Sequence, residues 1–245
     1  GCFLMGSDSQ EAPANYQDYE VWKGWDKFFQ TSAGQAAYYR RECDQLDLSG
    51  AQILEMGFGS GTFLNWARQQ GASLSGTEVN PVLTKKAEEN GVDVLPLDLA
   101  SSVATCQAKF DAIFAFDVME HLSMSQIDST LDAFEALLKP GGRAILRFPN
   151  GRSPFGLPSQ KGDPTHLVAL SDKIFDAKLV GRDLKIVRYG GAARIAGQGI
   201  AKKIIYRIRY LVRDLISALL NFAYAMDMVW EPVVTIVLEK EPSYD

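Results

Sequence analysis

Apolar and polar residues run along this chain in short blocks whose period alternates between that of a strand and that of a helix. Residues 52–56 form a short apolar run that reads as a buried strand. Residues 62–70 then place Phe63, Leu64 and Ala67 at helical spacing and stop at Gly71. The pair repeats: 73–78 reads as a second strand, 81–90 as a helix opened by Pro81 and closed by Gly91, and 92–95 as a third strand. The near-continuous apolar run 110–116 suits a central parallel strand. Residues 125–138 carry apolar side chains at 127, 131, 134, 137 and 138, one face of a helix ended by Lys139-Pro140-Gly141-Gly142. Residues 143–148 form a fifth strand, 172–180 a helix capped by Ser171, 184–189 a sixth strand and 233–238 the last. Strands alternating with helices predict an α/β fold on a mostly parallel sheet, with helices on both faces.

Three stretches stand outside this rhythm. Residues 1–49 form an N-terminal segment, polar over 7–18 and then dense in aromatics: Tyr19, Trp22, Trp25, Phe28, Phe29, Tyr38, Tyr39. The spacing 22-25-28/29 is helical and predicts a helix packed on the core. The Pro/Gly-rich run 149–158 follows a core strand, and a loop of that kind is functional or mobile. An insertion over about 195–230 holds a long helix at 200–226, apolar at 204, 208, 211, 215, 219, 222 and 226. Lys202, Arg209 and Arg213 lie opposite that face, with Lys203 and Arg207 at its flanks. Three readings of it stand: a substrate lid packed on the domain, a basic amphipathic helix on an anionic membrane surface, and a dimer helix.

Composition narrows the class. The 245 residues suffice for one large domain over 50–245, and 47% hydrophobic with 22% charged residues is ordinary for a soluble protein. A net charge of −5 argues against nucleic acid as a partner. Cys2, Cys43 and Cys106 have no metal-ligand spacing and read as reduced thiols, which points to the cytoplasm. No apolar run is long enough to cross a membrane, and residues 1–7 lack the basic start of a signal peptide.

The chemistry centres on the turn after the first strand, Glu55-Met56-Gly57-Phe58-Gly59-Ser60-Gly61-Thr62. Glycines there permit positive φ and close approach of backbone to a ligand, and the next helix aims its positive end at the turn. A dinucleotide site wants a third glycine where Thr62 stands, and no Walker-type Gly-Lys-Ser/Thr follows. Glu78 ends the second strand 21 positions after Gly57 (78 − 57), where a Rossmann-like sheet places an acid for ribose hydroxyls.

Glu55-x-Gly57-x-Gly59-x-Gly61 resembles motif I of the class I S-adenosylmethionine-dependent methyltransferases. Asp117-Val118-Met119-Glu120-His121-Leu122 resembles their strand-4 motif, and Leu138-x-Pro140-Gly141-Gly142 a further habitual feature. The resemblance covers about 50–240 and implies a Rossmann-like seven-stranded sheet whose last strand is antiparallel. The insertion departs from it, because about 40 residues separate two strands that the class joins directly. It implies S-adenosyl-L-methionine as cofactor and S-adenosyl-L-homocysteine as product. It implies cofactor contacts from Glu55, Gly57, Phe58, Gly59, Gly61, Glu78 and Val79, and an adenine seat from Leu97, Asp98 and Leu99. Asp117 and Val118 would lie near the reactive methyl, and the N-terminal segment could serve as a lid.

Methyl transfer is an in-line displacement, so the protein mainly aligns the groups, and no metal cluster is evident in the sequence. A hydroxyl acceptor benefits from a base poised near neutral pH. Of the two histidines, His166 is the candidate base or acceptor-orienting group, with His121 next. The expected function is methyl transfer to an oxygen or nitrogen of a small molecule or glycan. Alternatives are a quinone- or lipid-type acceptor at a membrane surface, which would make the protein peripheral to the inner membrane face, a dinucleotide-dependent oxidoreductase, and a cofactor-binding protein without catalysis.

Overall fold

In the computed structural model, which describes residues 28–195 and 199–242, the strand and helix blocks close into one sheet. Its strands are β1 (Gln52–Met56), β2 (Ser73–Thr77), β3 (Asp93–Val94), β4 (Phe110–Phe116), β5 (Leu138–Pro149), β6 (Leu184–Gly191) and β7 (Val233–Lys240). Their order is β3-β2-β1-β4-β5-β7-β6. β1 to β5 pair in parallel, and β7 runs antiparallel between β5 and β6. The expected Rossmann-like sheet with an antiparallel last strand is the one the chain forms.

Side chains alternate across the pleat, so each strand feeds two cores. Leu54, Ile113, Ala115, Ala144, Leu146 and Phe148 pack on one face under α5 (Met124–Leu137) and α7 (Asp172–Lys178), numbered in a series that begins with α1 (Ala33–Glu42), α2 (Thr62–Gln69), α3 (Pro81–Glu89) and α4 (Val103–Cys106), with α6 (Leu157–Gly162) between them. Ile53, Ala112, Phe114 and Ile145 pack on the other face against Phe63 and Trp66 of α2 and Leu83 of α3. Burying a side chain such as Phe63 contributes about 1.5–3 kcal/mol. Tyr39 of α1 joins this second core, its ring 5.2 Å from that of Phe63 and 6.0 Å from that of Phe116. Glu42, at the end of α1, is buried and pairs with Arg188 of β6 at 2.9 Å.

The helix boundaries follow local chemistry. Asn80 caps α3 ahead of Pro81, Ser123 and Gln126 form a capping box on α5, and Ser171 caps α7. α5 therefore starts at Met124, one residue before the expected start at Ser125. β5 starts at Leu138, where the Pro140-Gly141-Gly142 run was expected to separate helix from strand, and the register shifts between Phe110 and Ala112 on its neighbour.

Other departures bear on the site. The helical spacing ran through Phe28 and Phe29, but these two residues form a turn and the helix begins at Ala33. Tyr19, Trp22 and Trp25 lie outside the described residues, as does the polar run 7–18. The 149–158 loop is wired down. Asn150 is fully buried and donates to the carbonyls of Val229 (2.8 Å) and Glu231 (3.0 Å), and the Ser153 hydroxyl donates to the carbonyl of Trp230 (2.7 Å).

The insertion forms α8 (Ile200–Tyr224). The lid reading expected its apolar side against the domain. Instead Leu211, Leu215, Leu219 and Phe222 are exposed, and no residue of α8 is buried. The helix is tied down by its polar seam: Tyr210 donates to the carbonyl of Ile195 at 2.8 Å, and Trp230 donates to Asn221 at 2.7 Å.

Candidate active site

In a sheet of this order the chain leaves β1 to one side and β4 to the other, which opens a crevice beyond their carboxyl ends. The predicted cofactor residues follow β1, β2, β3 and β4 and so share that edge.

The turn after β1 is shaped by its glycines. Gly57, Gly59 and Gly61 have φ of +66°, +51° and +67°. A Cβ on Gly57 would stand 2.7 Å from Cγ2 of Val118, and one on Gly61 would stand 2.7 Å from the Phe29 ring. Val118 therefore walls the turn from the β4 side and Phe29 from the N-terminal side. The Phe29 amide also donates to the Ser60 carbonyl at 2.8 Å. Gly57 and Phe58 donate to the Thr77 carbonyl at 2.8 and 3.1 Å. The Gly59 amide donates to Oε2 of Glu78 at 2.8 Å, and the Asn80 amide to Oε1 at 3.1 Å. Gly61 offers α2 no side-chain cap, so the first amides of that helix point into the turn with the positive end of its dipole.

Two acids and an arginine lie beside the turn. Glu55 is buried and its Oε2 has no hydrogen-bond partner among the described residues. Burial holds its carboxyl well above the ordinary range; the Arg147 charge opposes this and the Glu78 charge adds to it. Asp117 adopts a left-handed backbone, φ +57°, and its Oδ1 accepts from Nε of Arg147 at 3.0 Å. Such a conformation costs a non-glycine residue about 1–2 kcal/mol. Burial works against the charge on Arg147, but the Asp117 carboxylate outweighs it and keeps the guanidinium protonated. That guanidinium lies 5.1 Å from the centre of the Phe116 ring and 5.2 Å from that of Tyr38. Arg147 had not been expected; a charge inside the apolar run of β5 was the available signal.

Not every predicted side chain faces the crevice. Phe58 is buried against Gly76, where a Cβ would meet its ring at 2.6 Å, and Leu99 is buried in the core. Both side chains are taken up by packing. Leu97 is exposed and Val79 half-buried. Asp98 caps the short 3-10 turn Leu99–Ser102 by accepting the Ala100 amide at 3.2 Å.

The two histidines come together, their ring centres 4.6 Å apart and edge to face. His121 follows β4 in the turn Met119–His121. Its Nδ1 lies 2.9 Å from the Thr165 hydroxyl, which donates to Oδ1 of Asp163 at 2.5 Å. The hydroxyl can then only accept from His121, which places a proton on Nδ1. His166 Nδ1 faces the Gln160 carbonyl at 3.2 Å, so it too is the protonated nitrogen. Its Nε2 looks onto Oε1 of Glu120 at 3.8 Å and Oδ2 of Asp163 at 3.9 Å.

Glu120 is buried, and neither carboxylate oxygen has a hydrogen-bond partner among the described residues. Burial pushes its carboxyl up to about 8, with the Asp117 charge adding to the shift. Asp163 goes the other way. Burial would raise it, but the Thr165 hydroxyl and amide and the two histidines hold it below the ordinary range. Ligand-type atoms of Glu120, His121 and His166 all lie within 4.8 Å of one another, a set able to hold a metal ion or to pass a proton. Sequence spacing hid this group, because His166 lies 45 positions beyond His121 (166 − 121).

The methyltransferase-domain family matches residues 33–185. The chain belongs to that family. A ubiquinone biosynthesis O-methyltransferase of Xylella fastidiosa is 33% identical over 108 residues, which cover 42% of this chain and 43% of that protein. Among solved structures, a SAM-dependent methyltransferase from Archaeoglobus fulgidus superposes with a TM-score of 0.58 at 20% identity, covering 82% of this chain and 91% of that one. A second, the [4+2]-cyclase SpnF, gives 0.51 at 19% identity and covers 80% of this chain and 76% of that one. Both likenesses show the fold, and the cyclase shows that the fold alone does not fix the reaction. The Archaeoglobus fulgidus protein and a further solved neighbour, from Mesorhizobium loti, are by name dependent on S-adenosylmethionine. The site fits it: a left-handed glycine turn that a Cβ would block, uncapped helix amides and a carboxylate fixed at the lip.

Proposed function

We propose that this methyltransferase-family protein catalyses transfer of the methyl group of S-adenosylmethionine to an oxygen of a small molecule or glycan. The observation that carries the reading is the Gly57–Gly61 turn, fastened to Glu78 and opening on the sheet edge that also holds the histidine pair. The name of the curated relative supports an oxygen acceptor.

The cofactor supplies a methyl group already activated on a positive sulfur. The chain supplies position and proton management. Gly57, Gly59 and Gly61 let backbone approach the amino-acid end, with Glu55 behind the turn and Phe58 contributing its amide. Glu78 and Val79 hold the ribose, and a carboxylate suits paired hydroxyls because each oxygen accepts more than one hydrogen bond. Leu97, Asp98 and the Leu99 backbone seat the adenine. Asp117, locked by Arg147, and Val118 form the wall nearest the reacting groups. His166, through Nε2, takes the proton of the acceptor hydroxyl; the ionised Asp163 stabilises the imidazolium that results, with the neutral Glu120 carboxyl beside it. His121, held by Thr165, fixes the ring against which His166 packs.

A quinone- or lipid-type acceptor is the second reading. The uncovered apolar face of α8 favours it, as do the ubiquinone-pathway relatives by name. It would place the protein at the inner face of a membrane, although no described helix is long and apolar enough to cross one. Turnover of labelled cofactor against catechol, sugar and quinol acceptors would decide among them. Transfer to none, with tight cofactor binding, would favour a binding protein without catalysis.

A further inference from the structure

Helix α8 carries five basic residues (Lys202, Lys203, Arg207, Arg209, Arg213) and one acid, Asp214, in a chain of net charge −5. At 100° per residue its apolar side chains, Leu220 excepted, fill an arc of about 160°, from Ile200 through Leu211 and Leu215 to Ile216. That arc is exposed: Leu215 by 71% and Phe222 by 87%. Arg207 and Lys203 border one edge of the arc, and Arg209 and Lys202 the other. Asp214 projects between Arg207 and Lys203 on the first of these edges, and together with the seam opposite the arc it holds the helix to the domain. Asp214 pairs with Arg194 at 2.6 Å, Arg213 pairs with Glu231, and Asn221 accepts from Trp230. The helix is thus anchored by its polar side and presents a wide apolar face with cations along both borders.

We propose that α8 lies flat on an anionic lipid bilayer and docks the protein there. The apolar arc would enter the boundary between headgroups and acyl chains, while the bordering lysines and arginines extend to phosphates. Charge selects this occupant over a second copy of the chain. Two such helices packed face to face would bring cationic borders together, and the helix's one acid is already committed to Arg194. At about 1.5 Å per residue the 25-residue helix is long enough to rest along a surface, and it falls short of the hydropathy needed to cross one. This inference stands apart from the methyl-transfer reading, since it needs neither cofactor nor acceptor.

The test is co-sedimentation of the full chain with vesicles of phosphatidylcholine alone and of phosphatidylcholine with one-third phosphatidylglycerol. The expected result is binding to the anionic vesicles at least about tenfold stronger than to the neutral ones, weakened by roughly 0.5 M salt. Leu215→Asp with Phe222→Asp should abolish binding, and Lys202→Glu with Arg209→Glu should remove the preference for anionic lipid. All four positions are exposed and none is among the residues that build the glycine turn, so circular dichroism and cofactor affinity should stay unchanged. Absence of binding by the unaltered chain overturns the proposal, as does equal binding to both vesicle types. A dimer in analytical ultracentrifugation that Leu215→Asp dissociates, without vesicle binding, would assign the face to a second copy instead.

Discussion

The carboxylate of Glu78 accepts the amide of Gly59 at 2.8 Å across 19 positions of sequence. It accepts the Asn80 amide at 3.1 Å as well, so one side chain joins the glycine turn after β1 to the end of β2. A residue proposed to hold the ribose therefore also sets the shape of the cradle. Replacing it should weaken the cofactor on both counts. Charge-assisted hydrogen bonds contribute about 1.5–3 kcal/mol each. Glu78→Ala should raise the Kd for S-adenosylhomocysteine by roughly a hundredfold or more in isothermal calorimetry, with little change in secondary structure. Glu78→Gln should recover only part of the loss, because its amide group would meet one backbone donor with another donor. An unchanged Kd in both variants would remove Glu78 from the site.

Gly57 and Val118 are in mutual contact in a way that allows a compensation experiment. Gly57→Ala places a methyl group 2.7 Å from Val118 Cγ2 at a φ of +66°, so it suffers both overlap and backbone strain. Together these should cost about 2–4 kcal/mol of stability and most of the cofactor affinity. Adding Val118→Ala relieves the overlap but not the strain. The double variant should therefore recover part of the stability in urea unfolding. Additive losses would show that the two residues are not coupled as their distance implies.

Most of the fold could be read from the sequence because each strand is a distinct apolar run and most helices carry their own stop signals. Pro81 with Asn80, Ser171 and the glycines at 71, 91 and 181 mark ends by local chemistry, and local chemistry is what a sequence displays. The glycine turn was legible for the same reason, and Glu78 because it closes an apolar strand at the spacing from Gly57 that a Rossmann-like sheet sets, although its bond to Gly59 spans 19 positions. Arg147, Thr165 and Asp163 were not, because their partners come from distant segments and only the closed sheet brings them together. Leu99 and Phe58 show the converse, since an apolar residue beside a motif can as well turn into the core. The direction of α8 was hidden too. Periodicity reveals that a helix has an apolar face, but which face meets the domain is decided by Arg194, Glu231 and Trp230, none of which lies on it.

The histidine pair makes separable predictions. If His166 removes the acceptor proton, His166→Ala should lower kcat by about 10²–10⁴-fold while leaving cofactor affinity unchanged. His121→Ala should act more weakly, through the ring it packs against, and Thr165→Val should imitate it, since Thr165 holds His121 Nδ1 at 2.9 Å. Steady-state kinetics at saturating cofactor, across pH 5–9, distinguishes these outcomes. Unaltered turnover in both histidine variants would remove histidine base catalysis.

Glu120 ties the site to stability. Its carboxyl is pushed up to about 8 from an ordinary 4.5 by burial. Between those values the folded chain keeps a proton that the unfolded chain releases, so raising the pH favours unfolding. The contribution of the neutral carboxyl is complete below about pH 4.5 and is lost progressively as pH climbs through 8. Within that window the group should lower stability by about 1.4 kcal/mol for each pH unit. Glu120→Gln keeps the shape and cannot ionise, so the variant should gain on the unaltered protein as pH rises from 5 to 8. Urea unfolding at pH 5, 6.5 and 8 measures the difference. Parallel pH dependence of the two proteins would mean that the Glu120 carboxyl does not change its protonation in the folded chain over this range.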